Sequence, residues 1–163
     1  YFWNNGKIFQ NERMMYMITK EQQTKKYCCL YASDFHLEMI LLPYIKNNID
    51  NTKFKIFTQT DLSKSMKILL NRTNLNIEEK NEMMKLDWKI NKKEKIEREN
   101  LNNCTVIING DNEYIKNIND EINKKQKEKI TIIDCYKINE NNNFKTLYSS
   151  YDEILNTKNY KKK

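Results

Sequence analysis

Short, nearly continuous apolar runs alternate along this chain with longer segments whose apolar residues recur at helical spacing. Four of the runs have the length of a β-strand: residues 27–32, 54–58, 105–109 and 130–135. Strands that are apolar on both faces are typical of a parallel sheet covered by helices on both sides. The pattern therefore predicts an α/β fold, a three-layer α/β/α sandwich with a mainly parallel sheet of four to five strands.

Several segments complicate this alternation. Pro43 lies inside the first predicted helix, where it removes a backbone hydrogen bond, so we expect that helix to be kinked or divided. Residues 74–84 have helical character, 86–88 have the pattern of a brief strand, and 91–100 are typical of an exposed helix or a mobile excursion. Apolar residues between 144 and 155 recur at helical spacing and predict a closing helix.

The formal net charge of +7 lies mostly at the ends of the chain. Residues 1–26 carry 5 basic and 2 acidic side chains, residues 27–160 carry 21 and 20, and residues 161–163 are all lysine. A phosphate-binding face usually gathers its cations on the folded body, so this distribution does not favour nucleic acid as a partner. Binding through the basic ends and residues 91–98 stays open as an alternative.

Glycine scarcity excludes two common nucleotide sites. The chain of 163 residues has 2 glycines, Gly6 and Gly110. Neither the glycine-rich phosphate loop of kinases and ATPases nor the three-glycine dinucleotide fingerprint can be built from them. We therefore expect no cofactor.

The cysteines indicate a reducing compartment and no metal. Cys28, Cys29, Cys104 and Cys135 all lie in apolar, β-branched or aromatic runs, and none has the C-x-x-C spacing of a metal site. Buried reduced thiols are the simpler interpretation. No apolar run approaches the roughly 18 residues that a membrane span needs, so we expect a cytoplasmic protein without membrane contact.

One α/β domain accounts for residues 26–157, between an N-terminal extension over 1–25 and a basic tail over 158–163. Met17 follows a polar stretch and is a plausible initiator, which would place residues 1–16 upstream of the native start.

Polar residues collect where the predicted strands end. In open parallel sheets ligands bind outside the carboxyl ends of the strands, and helix N-termini there could face an acidic or polar ligand group. The candidate ligand-binding residues are Ser33, Asp34, His36, Thr58, Thr60, Gly110, Asp111, Cys135 and Tyr136.

Other roles remain open for several of these residues. Ser33, Thr60 and Asp111 could simply cap helices. His36 is the only histidine and could shuttle protons, bind a metal or lie unused at the surface. Cys135 and His36 could form a nucleophilic pair if the fold brings them together with an orienting group.

The order of several segments resembles the MEDS family, the sensory domains of DcmR-like regulators. The segments that carry the resemblance are Tyr27–Asp34, Leu41–Ile49, Leu69–Trp88, Ile107–Asp111 and Asp134–Tyr136. The family has a mid-helix proline element, matched by Pro43, and a C-x-Y or C-Y strand end, matched by Cys135 and Tyr136. The resemblance implies a RecA-like α/β domain without its phosphate loop, which senses a small ligand and acts through a regulatory protein partner.

These observations predict a non-enzymatic, cytoplasmic sensory or ligand-binding domain that acts in signal transduction or regulation on a small-molecule ligand. The alternatives are a nucleic-acid-associated protein that uses its basic ends and an enzyme with a cysteine or histidine centre.

Overall fold

Among the residues that the structure describes, the sheet has five strands, and all of them are parallel. The computed structural model describes residues 24–91, 93–125, 129–138 and 144–157, so the start-site hypothesis and the basic tail fall outside the described residues. The strands are β1 (Lys25–Tyr31), β2 (Lys53–Thr58), β3 (Cys104–Asn109), β4 (Thr131–Lys137) and β5 (Glu153–Leu155). Their order in the sheet is β2-β3-β4-β1-β5. The predicted α/β class with a parallel sheet is confirmed.

In the part of the chain that the structure describes, six helices cover the two faces of this sheet. They are α1 (Asp34–Asn48), α2 (Ser63–Asn71), α3 (Ile77–Met84), α4 (Glu94–Arg98), α5 (Asn112–Lys125) and α6 (Phe144–Tyr148). Buried side chains of α1, α2 and α3 pack in one core cluster with one face of the sheet. Those of α4 and α5, together with the partly buried Leu147 of α6, pack with the other face.

Strand β3 shows why the strands are apolar on both sides. All six of its residues are buried. Ile107 belongs to the core beneath α1 and α2, whereas Val106 and Ile108 belong to the core beneath α5. Successive side chains of a strand point to opposite faces, so both helical layers need an apolar residue from the same strand.

The first helix is continuous through Pro43, so of the two predicted effects of the proline, a kink or a division, the division does not occur. The helix runs from Asp34 to Asn48 without a break. Proline has no amide hydrogen to donate, and its ring crowds the carbonyl four residues earlier, that of Met39. Met39 is 44% exposed, so this side of the helix faces solvent. Leu41 and Ile45, on either side of the proline, are buried in the core, and this packing stabilises one continuous helix.

The predicted brief strand over residues 86–88 is also absent. Trp88 is buried, and its indole nitrogen donates to the carbonyl oxygen of Met83 at 2.8 Å. The amide of Leu62 donates to the carbonyl of Trp88 at 2.9 Å. The large indole thus fills space between the start of α2 and the end of α3 instead of joining the sheet.

The charged segment after Trp88 closes the outer edge of β2. The backbone amide of Thr58 donates to the side-chain oxygen of Asn91 at 2.8 Å, and the backbone amide of Asn91 donates to the carbonyl of Thr58 at 3.0 Å. The Asn91 side-chain nitrogen donates to the carbonyl of Ile56 at 3.1 Å. Helix α4 follows and buries Ile96. The segment predicted as an exposed helix or a mobile excursion therefore packs against the protein at two residues, Asn91 and Ile96.

The predicted closing helix ends early, because its C-terminal half forms a strand. Helix α6 ends at Tyr148, and Glu153–Leu155 pair in parallel with β1. The amide of Asp152 donates to the carbonyl of Lys26 at 2.8 Å, and Asp152 accepts from the Lys26 amide at the same distance. The apolar spacing suited a helix, but β1 offered an unpaired edge, and pairing with it buries Leu155.

None of the helices in the described part of the chain combines the length and the apolar character needed to span a bilayer.

Glu38 is a fully buried carboxyl group between α1 and α2. One of its oxygens accepts a hydrogen bond from the Ser65 hydroxyl. The other has no hydrogen-bond partner among the described residues. Burial raises the pKa of Glu38, and the charge of Asp34 adds to the increase. The folded protein therefore holds the Glu38 proton more tightly than the unfolded chain does.

We expect this carboxyl to make stability fall with rising pH. Its contribution is fully present below the ordinary glutamate pKa and is lost as the pH rises through the raised pKa of the folded state. The variant Glu38→Gln stays neutral and should lose part of that dependence. Urea unfolding at a series of pH values measures the effect, with Glu78→Gln on the exposed face of α3 as the control. Equal pH slopes for the Glu38 variant and the wild type would contradict the prediction.

Candidate functional site

A cleft of about 450 Å³ lies at the carboxyl ends of four strands. The residues that line it are Tyr31, Gln59, Thr60, Gly110, Asp111, Asn112, Glu113, Tyr136 and Lys137. Helices α1 and α2, which directly follow β1 and β2, pack on one face of the sheet, and α5 and α6, which directly follow β3 and β4, pack on the other. Where the connections from neighbouring strands go to opposite faces of a parallel sheet, a crevice forms outside the strand ends, and ligands bind in such crevices.

A clasp between Gln59 and Asp111 joins the loops that follow β2 and β3. The Gln59 side chain donates from its nitrogen to the Asp111 carboxylate at 3.1 Å and accepts the Asp111 backbone amide at 2.8 Å. The backbone amide of Gln59 also donates to the backbone carbonyl of Asn109 at 2.8 Å. These three bonds fix two of the cleft walls relative to each other.

Asp111 also caps helix α5. Its carboxylate accepts the amide of Tyr114 at 2.8 Å. This bond and the one from Gln59 hold the pKa of Asp111 below its ordinary value, so the carboxylate stays charged. A charged carboxylate on the first turn occupies the positive end of the helix. Of the two kinds of ligand group expected at this helix N-terminus, acidic or polar, the geometry therefore does not favour the acidic one.

The floor of the cleft is a hydrogen-bonded network across β1, β3 and β2. The Asn109 side-chain nitrogen donates to the hydroxyls of Thr58 and Thr60, at 3.0 and 3.2 Å. The Tyr31 hydroxyl donates to the Asn109 side-chain oxygen at 2.6 Å. Thr58 is fully buried, and its hydroxyl donates to the carbonyl of Thr60 at 2.7 Å. Thr58 thus supports the cleft from beneath and does not line it.

A second chain of hydrogen bonds leads away from the cleft into the core under α5. The hydroxyls of Tyr136 and Tyr151 lie 2.7 Å apart, and Tyr151 donates to the Asp134 carboxylate at 2.6 Å. The other Asp134 oxygen accepts from Asn119 at 3.0 Å. Burial raises the pKa of Asp134, against the opposing effect of these two donors and of the Lys26 charge. Tyr136 is thereby tied to a buried acid on its own strand.

The residues predicted at the start of α1 form its cap. The amide of His36 donates to the Ser33 hydroxyl at 3.2 Å, and His36 Nδ1 accepts the amide of Ala32 at 3.0 Å. Ser33, Asp34 and His36 are absent from the cleft lining. This geometry favours the simpler of the two interpretations, a capped helix.

Cys135 lies in the interior of the sheet and outside the cleft lining. It is fully buried and stands opposite Cys29 on β1. Burial raises the pKa of the Cys135 thiol well above its ordinary value. A nucleophilic cysteine needs an accessible thiolate, so the environment of Cys135 does not favour the cysteine–histidine enzyme.

The structure thus brings four of the nine candidate residues together in the cleft: Thr60, Gly110, Asp111 and Tyr136. The lining residues missed as candidates are Tyr31, Gln59, Asn112, Glu113 and Lys137. Gln59 and Asn112 are sequence neighbours of the candidates Thr60 and Asp111, so their position after a strand could have identified them. Tyr31 belongs to an apolar run, and no neighbouring residue in that run indicates that its hydroxyl turns toward β3.

Two other kinds of site gain nothing from the described residues. In ranges 24–91, 93–125, 129–138 and 144–157, no group of three or more histidine, cysteine, aspartate or glutamate side chains is placed to hold a metal ion. In the basic segment 91–98, Lys95 is engaged by Asp87 at 2.7 Å and lies over the Phe57 ring. The basic chain ends lie outside the described residues.

Comparisons of the chain with protein-family models, with curated proteins and with solved structures found no match. The resemblance to the MEDS family stays a prediction.

Gly110 is a position of the cleft where a side chain has no room. A Cβ atom there would lie 2.5 Å from a ring carbon of Tyr114 and 2.8 Å from the Gln59 side-chain oxygen. The Tyr114 ring is held by the bond from its hydroxyl to the Asn91 carbonyl. We expect Gly110→Ala to lower the free energy of unfolding by about 1–3 kcal/mol through overpacking. Chemical denaturation measures the loss, with Glu113→Ala as control, and a change below about 0.5 kcal/mol would contradict it.

Proposed function

We propose that this protein is a non-enzymatic domain that binds a small polar molecule in the cleft and serves as a sensor in signal transduction or regulation. The observation that carries the proposal is the cleft itself, whose lining is held by hydrogen bonds from all four strand ends that meet there. Its volume lies within the range of roughly 300–1,000 Å³ that is usual for small-molecule sites. A preorganised polar lining lowers the entropy lost on binding.

The titratable groups of the cleft favour binding over acid–base catalysis. Asp111 has a lowered pKa, while burial raises the pKa of Tyr31 above its ordinary value and that of Tyr136 to about 12. An efficient general acid or base has a pKa near the working pH. These three groups all titrate away from neutrality, which supports a role in recognition.

The connection from Tyr136 to Tyr151 supports the sensory part of the proposal. Tyr151 lies between α6 and β5, and the neighbouring Asp152 binds the backbone of Lys26 on β1. A ligand that shifts Tyr136 would therefore also bias the segment that leads into the edge strand β5. We propose that a regulatory protein partner binds this segment and responds to its change, which agrees with the role that the MEDS resemblance implies.

Ligand binding is tested by recording amide spectra of the ¹⁵N-labelled protein against a library of amines, acids, polyols, sugars and nucleosides. We expect at least one class to shift the amides of Thr60, Gly110 and Asp111 and to raise the melting temperature by mass action. Glu113→Trp places a large ring at the cleft and should weaken binding by at least about tenfold.

The matched control is Lys116→Trp, an exposed position one turn further along the same helix. It should leave binding unchanged. Absence of any shift at the cleft amides across the library at millimolar concentration would sink the proposal.

A further inference from the structure

The hydrogen bonds beneath the cleft leave one hydroxyl proton free at its surface. The Thr58 hydroxyl donates its only proton to the carbonyl of Thr60 at 2.7 Å, so it must accept in its bond with the Asn109 side-chain nitrogen. The same nitrogen donates to the Thr60 hydroxyl at 3.2 Å. Thr60 is exposed and lines the cleft. Its hydroxyl therefore keeps its own proton to donate there, since none of the described residues accepts it.

Gln59 supplies a second free donor beside Thr60. Its side-chain oxygen accepts the backbone amide of Asp111 at 2.8 Å, which fixes the side-chain nitrogen toward the Asp111 carboxylate at 3.1 Å. A primary amide nitrogen carries two protons, and this bond uses one of them. In the part of the chain that the structure describes, the second proton has no acceptor. Two neighbouring donors thus lie in the cleft wall that follows β2.

The Asp111 carboxylate adds an acceptor within reach of Gln59. It already accepts from the backbone amides of Tyr114 and Glu113 and from the Gln59 side chain. A carboxylate has about four acceptor positions, so one remains for a further donor. The bonds from Tyr114 and Gln59 also hold the pKa of Asp111 below its ordinary value. A charged carboxylate is the stronger kind of acceptor.

These free groups complement a neutral carboxamide. A carboxamide oxygen has two lone pairs, which match the protons of Thr60 and Gln59, and its nitrogen carries protons for Asp111. A carboxylate ligand has no proton for Asp111 and is repelled by its charge. An ammonium ion has no lone pair, so it would leave the protons of Thr60 and Gln59 unpaired. Polar groups left unpaired in a contact are costly.

We propose that the cleft selects a small neutral carboxamide, whose oxygen accepts from Thr60 and Gln59 and whose nitrogen donates to Asp111. This inference rests on the proposed ligand-binding function and names the class of ligand. Thr60 is the residue that determines specificity. Asn109 occupies a lone pair of the Thr60 hydroxyl on the side of the cleft floor, so the buried network directs the Thr60 proton toward the ligand.

Four probes of matched size test the selection on the full chain: butyramide, butyrate, butylamine and 2-pentanone. The ketone keeps the carbonyl oxygen of butyramide and has a methyl group in place of its nitrogen. Titrations followed by the backbone signals of Thr60, Gly110 and Asp111 give the affinity of each probe. We expect butyramide to bind about tenfold or more tighter than the other three, because each of them lacks either protons for Asp111 or lone pairs for Thr60 and Gln59.

The variant Thr60→Val removes the donor and keeps the shape of the side chain. It should weaken butyramide binding about three- to tenfold, the effect of one neutral hydrogen bond, whereas Thr60→Ser should keep the wild-type affinity. The ratio of butyramide to 2-pentanone affinity should stay unchanged in Thr60→Val, because both probes present the same oxygen to Thr60. A merely structural effect would change this ratio and would not be reversed by serine.

The matched control is Thr73→Val, which removes a hydroxyl that donates to the carbonyl of Leu70 at the end of α2. It should leave the affinity for butyramide unchanged. If Thr60→Val does not fold, the four probes on the wild-type chain still decide the ligand class. Equal butyramide affinity in a folded Thr60→Val and the wild type would overturn the role of Thr60.

The outcomes separate the two proposals. A cleft that binds library compounds but binds butyramide no tighter than the other three probes overturns the inference and leaves the ligand-binding function standing. A cleft whose backbone signals respond to neither the probes nor the library overturns both.

Discussion

The parallel pairing of all five strands is the constraint on which the rest of this structure depends. Parallel strands need helical crossovers, and the crossovers bury both faces of the sheet. In β3 this leaves all six positions buried, and the polar residues that line the cleft there, Gly110 to Glu113, come after the strand has ended. Because every strand runs in the same direction, all the carboxyl ends meet at one edge, and the cleft lies there.

The polar groups that remain inside the protein are held in specific networks. Burying Asp134 is unfavourable unless donors compensate it, and Asn119 and Tyr151 supply them. Glu38 is compensated less completely, with one oxygen bound by Ser65 and the other without a partner in the described residues. The better satisfied acid connects to the cleft, and the poorly satisfied one lies between two helices. Their different surroundings show that burial alone does not decide how fully an acid is satisfied; the donors that the neighbouring elements supply do.

Much of the fold could be predicted from the sequence because β-branched strands and capped helices carry local signals. The closing segment could not, since the spacing of its apolar residues fits a helix as well as a strand, and the free edge of β1 decides between them. At the site, Thr60, Gly110, Asp111 and Tyr136 were predictable from their position after strands. The hydrogen bonds of the Tyr31 and Tyr151 hydroxyls join residues far apart in the chain, and such contacts leave no local pattern.

Asn91 has a consequence for how this molecule behaves among its own copies. An exposed edge strand offers free amides and carbonyls that recruit further strands and lead to aggregation. On β2, Asn91 binds both backbone groups of Thr58 and the carbonyl of Ile56, and Lys95 reaches that same carbonyl at 3.4 Å. The carboxyl half of this edge is therefore closed to intermolecular sheet growth, and a short charged segment gives a lysine-rich chain protection that its net charge alone would not provide.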